Sequence, residues 1–417
     1  MTNGTINKRR VVITGLGLVT PVGNTVDETW ANILAGKSGV ARTSQFFDLS
    51  KLDVGGICEL KGFDAAGVLG RREARRRDRV QQMACVAANE AIADSGLQVT
   101  DDNRERVGVF MGTGAGGIQS IVQTEWTRQE KGPRRVSPFA VTMIMSNGAA
   151  GMIAIDHGIQ GPALTSVTAC AAGSDAIGQA FRYVQNGMVD AAVTGGTECP
   201  MTAMTVAGFA RAGALSVRTE GTPSPFDKSR DGLIPGEGAG MLVLESLEHA
   251  QARGANILAE VTGYGVTTDA FHVTAPPEDG SGAARAIRQA VNEAGITGAD
   301  IDYINAHGTG TVLNDQAETA AIKLALGEDA YGIGISSTKS MTGHIMGGTG
   351  AIEAVFCTLA MRDSLMPPTI NLVEKDEKCD LDYVAGTPRA AEINVATTHA
   401  FGFGGHNSVL VLEKLGR

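Results

Sequence analysis

Cys170 lies in SVTACAAGSDAIGQAF, where a β-branched run passes through small residues into an amphipathic helix. The pattern has the form of a nucleophile elbow, a sharp strand-to-helix turn that exposes one side chain. A helix N-terminus supplies partial positive charge and free N–H groups, which favour a thiolate and bind an oxyanion. A cysteine chosen blindly is more often an inert core residue. Ala169, Ala171, Ala172 and Gly173 shift that balance, because they leave room for a ligand beside the sulfur. Cys58, Cys85, Cys199, Cys357 and Cys379 lack this setting and read as structural.

Two histidines stand in similar places. His307, in NAHGTGTVLND, directly follows a strand-like run, and His344, in SSTKSMTGHIMGGTG, lies between a strand and a glycine-bounded helix. α/β proteins place their sites at such strand ends. A cysteine protease needs one histidine as base and a third group to orient it. Two histidines suggest another task, two N–H donors aimed at one oxygen. Lys339 precedes His344 by five residues and in such a site would tune the histidines' charge. Phe403 sits in a Gly-Phe-Gly-Gly turn, where backbone N–H groups can face a ligand and the ring can act as a movable wall.

The elements that must position these residues are short apolar runs, most ending in glycine. They read as strands buried on both faces: 11–15, 107–111, 191–195, 240–245, 257–264, 303–306, 333–336, 395–398 and 408–413. Helical stretches at 75–95, 173–186, 247–253, 282–294, 315–326 and 350–362 alternate with them, which means α/β layering. The segment at 236–254 closes one half and a new strand opens at Ile257. The expected division is therefore 1–255, carrying the cysteine, and 256–417, carrying both histidines.

Composition narrows the function classes. The chain has 417 residues, 43% hydrophobic and 19% charged, with a net charge of −10. That composition is globular, and an acidic chain is a poor match for nucleic acid. The 55 glycines, about twice the usual ~7%, show no collagen period and imply many close backbone approaches. Six scattered cysteines without a C-x-x-C pair argue against zinc and against a disulfide framework, and fit a reduced, cytoplasmic setting. No apolar run reaches the ~18 residues of a membrane span. The start, KRRVVITGLGLVTPVG, mimics a signal peptide but is broken by Thr, Gly and Pro, so a buried first strand is the better reading.

Taken in order, the motifs resemble those of the β-ketoacyl-acyl-carrier-protein synthases, on the elongating type II branch of bacterial fatty-acid synthesis. The resemblance runs from RRVVITGLGLVTPVGN through GPRRVSPFAVTMIMSNGAAG, VTACAAGS, SPFDKSRDGLIPGEGAGMLVLE, NAHGTGT and SSTKSMTGH to FGFGGHN. It implies a thiolase-like α/β fold, five α-β-α-β-α layers built from two related halves, and a homodimer. It implies a decarboxylative Claisen condensation of a Cys170-bound acyl group with malonyl-acyl carrier protein, with no cofactor and no catalytic metal. Cys170 is then the nucleophile, His307 and His344 the donor pair, and Lys339 a neighbour linked to Asp315 and Glu318. Phe403 is the gating ring, whose N–H joins that of Cys170 in an oxyanion hole. Ala115, Phe209, Thr309, Thr311, Gly402 and Gly404 fall at substrate-contacting positions. Asn305, Glu353 and Thr398 match a cluster that holds a structural cation in some relatives.

Three departures stand out. His399-Ala400 replaces an Asn-Ser pair, GTGTV replaces GTSTP, and Ala115 stands where a branched residue often lines the acyl pocket. None touches the Cys-His-His set. A polyketide or other secondary-metabolite ketosynthase shares the chemistry and is the nearest rival. A thiolase would need a second catalytic cysteine near the end of the chain, where His406 stands instead. A chain-length-factor-like subunit would lack Cys170. For docking an acidic carrier protein, a local patch can oppose the net charge. GRREARRRDR at 70–79, with Arg75 and Arg76, and KGPRR, with Arg134 and Arg135, supply such patches, though any charge run is often only a solvated face.

Overall fold

The computed structural model describes residues 8–417. Ten strands among the described residues join one continuous sheet. In chain order they are β1 (Val11–Val19), β2 (Val107–Gly112), β3 (Ala163–Ser166), β4 (Ala191–Glu198), β5 (Gly238–Ser246), β6 (Ala259–Thr268), β7 (Tyr303–Asn305), β8 (Gly334–Ser336), β9 (Val395–Gly402) and β10 (His406–Glu413). Their spatial order is β3-β2-β4-β5-β1 followed by β6-β10-β9-β7-β8. The second five repeat the first five in mirror sequence about the β1–β6 seam. In each half the outer three strands run parallel and the inner two turn antiparallel. The seam itself is a short antiparallel pairing, Val11 with Val261 through Ile13 with Ala259.

Six helices complete the layers: α1 (Arg79–Ser95), α2 (Gly148–His157), α3 (Ala172–Gln185), α4 (Ser281–Ala294), α5 (Val312–Leu326) and α6 (Thr349–Asp363). Helices α1 and α2 cover the first five strands from outside, and α4 with α5 the last five. Helices α3 and α6 pack on each other and on strands of both halves, forming the middle layer. The result is the expected α-β-α-β-α stack. α6 is buried from Thr349 to Met361, which is why it lacks a polar stripe.

Glycine makes the outer contacts possible. A Cβ on Gly15 or Gly17 of β1 would stand 2.2 or 1.9 Å from the carbonyls of Ala91 and Ala87 on α1. On Gly263 or Gly265 of β6 it would stand 2.2 or 2.0 Å from those of Ala290 and Ala286 on α4. The same strand–helix approach occurs once per half, and only glycine allows it.

The elements differ from expectation mostly at their ends. The helix expected over 75–95 begins at Arg79, because Asp78 caps it, accepting the N–H of Val80 at 2.9 Å, with Gln81 completing a capping box. Strand β3 was not anticipated. It has four residues, and two of them, Ala163 and Leu164, are exposed.

Candidate active site

Cys170 lies in a tight turn, 169–171, between β3 and α3. Ala169, just before it, holds φ = 50°, a left-handed conformation uncommon for a residue with a Cβ. This strained turn is the elbow, and Cys170 is its buried side chain. Its backbone amide lies against Gly402, where a Cβ would come within 3.0 Å of the Cys170 nitrogen. The Phe403 N–H reaches the thiol.

The second half supplies the histidines. His307 follows β7 and His344 lies between β8 and α6; both are buried. His344 Nε2 is 3.1 Å from Cys170 Sγ, and its Nδ1 is 3.1 Å from Thr349 Oγ1. The rings of His307 and His344 meet edge to face with centroids 5.3 Å apart. Glu318 holds the His307 turn, its two oxygens accepting the N–H groups of His307 at 2.8 Å and Gly308 at 2.7 Å.

Charge in this site follows burial. Burial pushes the Cys170 thiol up to about 12; Lys339 and the Phe403 N–H oppose the shift, and Glu198 adds to it. Burial, then the Lys339 charge, hold His307 and His344 well below the ordinary histidine value, so both are neutral at pH 7. Lys339 thus favours the thiolate while keeping the imidazoles uncharged.

One expected link is corrected. The resemblance links Asp315 and Glu318 to Lys339, but Lys339 Nζ pairs with Glu353 Oε1 at 2.6 Å, both side chains being buried. Glu353 projects from α6, in the middle layer beside Lys339, whereas Asp315 and Glu318 belong to α5 of the outer layer. Asp315 lies 3.3 Å from Arg230 and accepts the Phe226 N–H at 2.8 Å, and burial raises its carboxyl to about 6.

A cavity of about 290 Å³ opens from Cys170, His307 and His344, with Phe209, Thr309, Thr311, Gly402 and Phe403 on its walls. The Phe209 and Phe403 rings are 6.2 Å apart, and the hydroxyls of Thr309 and Thr311 are 3.0 Å apart. Gly404, at φ = 87°, donates its N–H to Val273 O at 2.7 Å and ties the Phe403 turn to the cavity mouth. Ala115 does not border this cavity; it is exposed on this chain, because Glu198 draws the N–H groups of Gly114 and Ala115 inward and turns the methyl out.

Asn305, Glu353 and Thr398 are buried, and the Asn305 amide, Glu353 Oε2 and Thr398 Oγ1 have no partner among the described residues. Unpaired buried oxygens of this kind suit a hard cation. His399, the departure noted above, is fully buried. Its Nδ1 is 3.4 Å from Glu318 Oε1 and its Nε2 3.2 Å from Thr397 Oγ1.

Of the six arginines in 70–79, two are internal. Arg77 forms two 2.6 Å bonds to Asp156, and Arg79 grips Glu237 at 2.6 and 2.7 Å. Arg75, Arg134 and Arg135 are exposed, and Arg76 lies 4.9 Å over the ring of Phe139, four residues past Arg135. Sequence reasoning missed Met346, Thr349 and Glu198 as site residues. A lone acid ending the otherwise uncharged strand AAVTGGTE was the available signal for Glu198.

Models of the β-ketoacyl synthase N-terminal and C-terminal domains match residues 8–250 and 258–373. A protein of Synechocystis sp. named 3-oxoacyl-[acyl-carrier-protein] synthase 2 is 48% identical over 412 residues, 98% of this chain and 99% of that protein. A Staphylococcus aureus protein of the same name is 48% identical over 408 residues, 97% of this chain and 98% of that one. Among solved structures, a β-ketoacyl synthase from Burkholderia phymatum superposes with a TM-score of 0.89 at 35% identity, covering 98% of this chain and all of that one. A type II polyketide ketosynthase, solved with its acyl-carrier protein, gives 0.88 at 35% identity and the same coverage.

Proposed function

The chain belongs to the β-ketoacyl synthase family, and on that premise we propose that Cys170, His307 and His344 divide its chemistry between them. The enzyme is an acyltransferase that forms a carbon–carbon bond, giving 3-oxoacyl-acyl carrier protein in fatty-acid elongation. The observation that carries the assignment is the meeting of the two neutral histidines, one of them 3.1 Å from Cys170, the one cysteine among the described residues on the cavity wall.

Cys170 takes the acyl group as a thioester. Burial favours the protonated thiol, so the sulfur gives up its proton as it attacks and the carrier's sulfur, displaced from the acyl carbon, leaves as the thiol carrying that proton, with His344 beside Cys170 and the helix end behind it. The oxyanion of that step rests on the N–H groups of Cys170 and Phe403. Malonyl-acyl carrier protein then loses CO2, and its enolate oxygen receives N–H bonds from His307 and His344. Neutral imidazoles donate there without a net charge to desolvate. The carbanion attacks the Cys170 thioester and frees the thiol. Thr309, Thr311, Phe209, Gly402, Gly404 and Phe403 line the route of the carrier's arm and the acyl chain. Asn305, Glu353 and Thr398 would hold a structural cation, which would balance the buried acidic charge.

The same reading divides the chain at 255/256 into a nucleophile half and a histidine half. It pairs two copies through the open edge of β3, where Leu164 and Val167 stand exposed. Ala115 reaches an acyl chain only if that second copy closes over it. A cytoplasmic setting fits the six unpaired thiols, and no described helix is long and apolar enough to cross a membrane. The polyketide reading draws on solved neighbours at 35–38% identity, and the relatives at 48% favour elongation. Mass spectrometry after incubation with mixed acyl-carrier proteins tests the assignment. Acyl mass on Cys170 supports it and names the chain, and acylation of another residue overturns it.

A further inference from the structure

Glu198 is fully buried at the end of β4, and the mechanism above gives it no role. Its carboxylate joins two loops from opposite halves. From the first half it accepts the N–H groups of Gly114 and, at 3.4 Å, of Ala115, and the Thr113 hydroxyl at 3.2 Å. From the second half it accepts the N–H of Gly347 at 3.3 Å. The loops themselves touch: a Cβ on Gly347 would stand 2.4 Å from the Gly114 nitrogen. A Cβ on Gly114 would stand 2.7 Å from Glu198 Oε2 and 3.8 Å from the Cα of Ala169, the residue before Cys170. Gly347 is three residues from His344 and follows Met346, which lines the cavity and holds φ = 43°.

From this geometry we propose that Glu198 is a positioning residue, a carboxylate clasp that fixes the loop bearing His344 and Met346 against the loop beside Cys170. The proposal rests on Cys170 being the nucleophile. A glycine-rich backbone has little side-chain packing to fix it, so the shared acceptor sets the spacing of the two loops. A glutamate is needed because one side chain must satisfy donors from two directions, and a carboxylate offers about four lone-pair sites. The clasp has an electrostatic cost. The titratable groups around Cys170 pull in two directions: Lys339 favours the thiolate, Glu198 opposes it, and neutral His344 stands at 3.1 Å. Burial raises the Glu198 carboxyl to about 7, against all four hydrogen bonds, so its charge is complete only above neutrality.

That combination gives a test with opposite signs. Glu198→Gln keeps the shape, removes the charge and puts an amide N–H against a backbone donor. Condensation with acyl- and malonyl-carrier protein should slow by about 10- to 10²-fold, the scale of a misplaced reacting group. Alkylation of Cys170 by iodoacetamide, read by peptide mass, should instead become faster than in the wild type. The rate ratio should grow as pH rises through 7, where the wild-type carboxyl ionises. Glu198→Asp, which keeps the charge on a shorter arm, should slow condensation while leaving the alkylation profile unshifted. A purely structural defect would slow both reactions and would not follow charge. Superposable alkylation profiles for wild type and the Gln variant overturn the proposal, as does wild-type condensation by either variant. If the Gln variant fails to fold, the Asp variant decides alone on the same two readouts. Failure of the nucleophile assignment would show separately, as a wild-type acyl group on a residue other than Cys170.

Discussion

The turn after β2 and the turn after β7 are built alike and used differently. Each follows the second strand of its half, and each has two successive backbone N–H groups held by a buried glutamate. In the first half Glu198 holds Gly114 and Ala115; in the second Glu318 holds His307 and Gly308. By those held N–H groups the first turn carries Gly114, which has no side chain, where the second carries His307, which faces the cavity. The next strand–helix junction of each half repeats the division, with Cys170 before α3 and His344 before α6. On the proposed reading, one strand order repeated in the two halves is split between a nucleophile and its donors. The difference comes from which side chain stands at each junction.

The largest break is on the nucleophile side. Cys170→Ser should abolish elongation, because the hydroxyl is a far weaker nucleophile at neutral pH and His344 has the Thr349 hydroxyl, not a carboxylate, at its Nδ1. Near-normal elongation by this variant would remove Cys170 from the chemistry. On the donor side, His307→Ala and His344→Ala should each cost about 10²–10³ in malonyl decarboxylation, the usual loss for one oxyanion donor. Loading of Cys170 should suffer less in His307→Ala. If both variants decarboxylate normally but cannot be loaded, the histidines serve the loading of Cys170 and not the decarboxylation.

Much of this division was legible in the sequence, for a physical reason. Glycine and small residues around Cys170, His307, His344 and Phe403 mark the places where backbone must approach a ligand, and short apolar runs mark buried strands. What escaped was tertiary. Lys339 lies close in sequence to His344, but its partner, Glu353, is fourteen positions further on, and no local pattern separates that acid from Asp315 or Glu318. Strand β3 escaped because four residues of an exposed edge carry no periodicity. Ala115 was read from the family's pocket, but its orientation depends on the distant Glu198.

Lys339 tests how one charge serves both halves at once. Lys339→Met would leave Glu353 as an unpaired buried acid, at a cost of about 3–5 kcal/mol, so the informative variant is Lys339→Met with Glu353→Gln. Removing the cation should let His307 and His344 rise toward the ordinary histidine value, so the acid limb of decarboxylation should move to higher pH. The Cys170 thiol, already pushed up by burial, should rise further, and alkylation at a fixed pH should slow. A pH profile that does not move, with only a lowered Tm, would make the pair structural.

The smallest effect separates the surface from the cavity. The exposed arginines at 75, 134 and 135 all belong to the first half, while the exposed cavity-lining residues His272, Val312 and Leu313 belong to the second. An acidic carrier docked on the first half would therefore deliver its arm across the junction. Arg134→Glu with Arg135→Glu should raise KM for carrier-bound substrates several-fold to about tenfold with little change in kcat, because exposed charges act on encounter. Neither arginine lines the cavity, so thioesters lacking the carrier should react as before. Added salt should narrow the difference between variant and wild type, since screening beyond ~8–10 Å removes the attraction that the variant has lost. Equal losses with both substrate types, unchanged by salt, would move the docking face away from 134–135 and leave those arginines as a solvated surface.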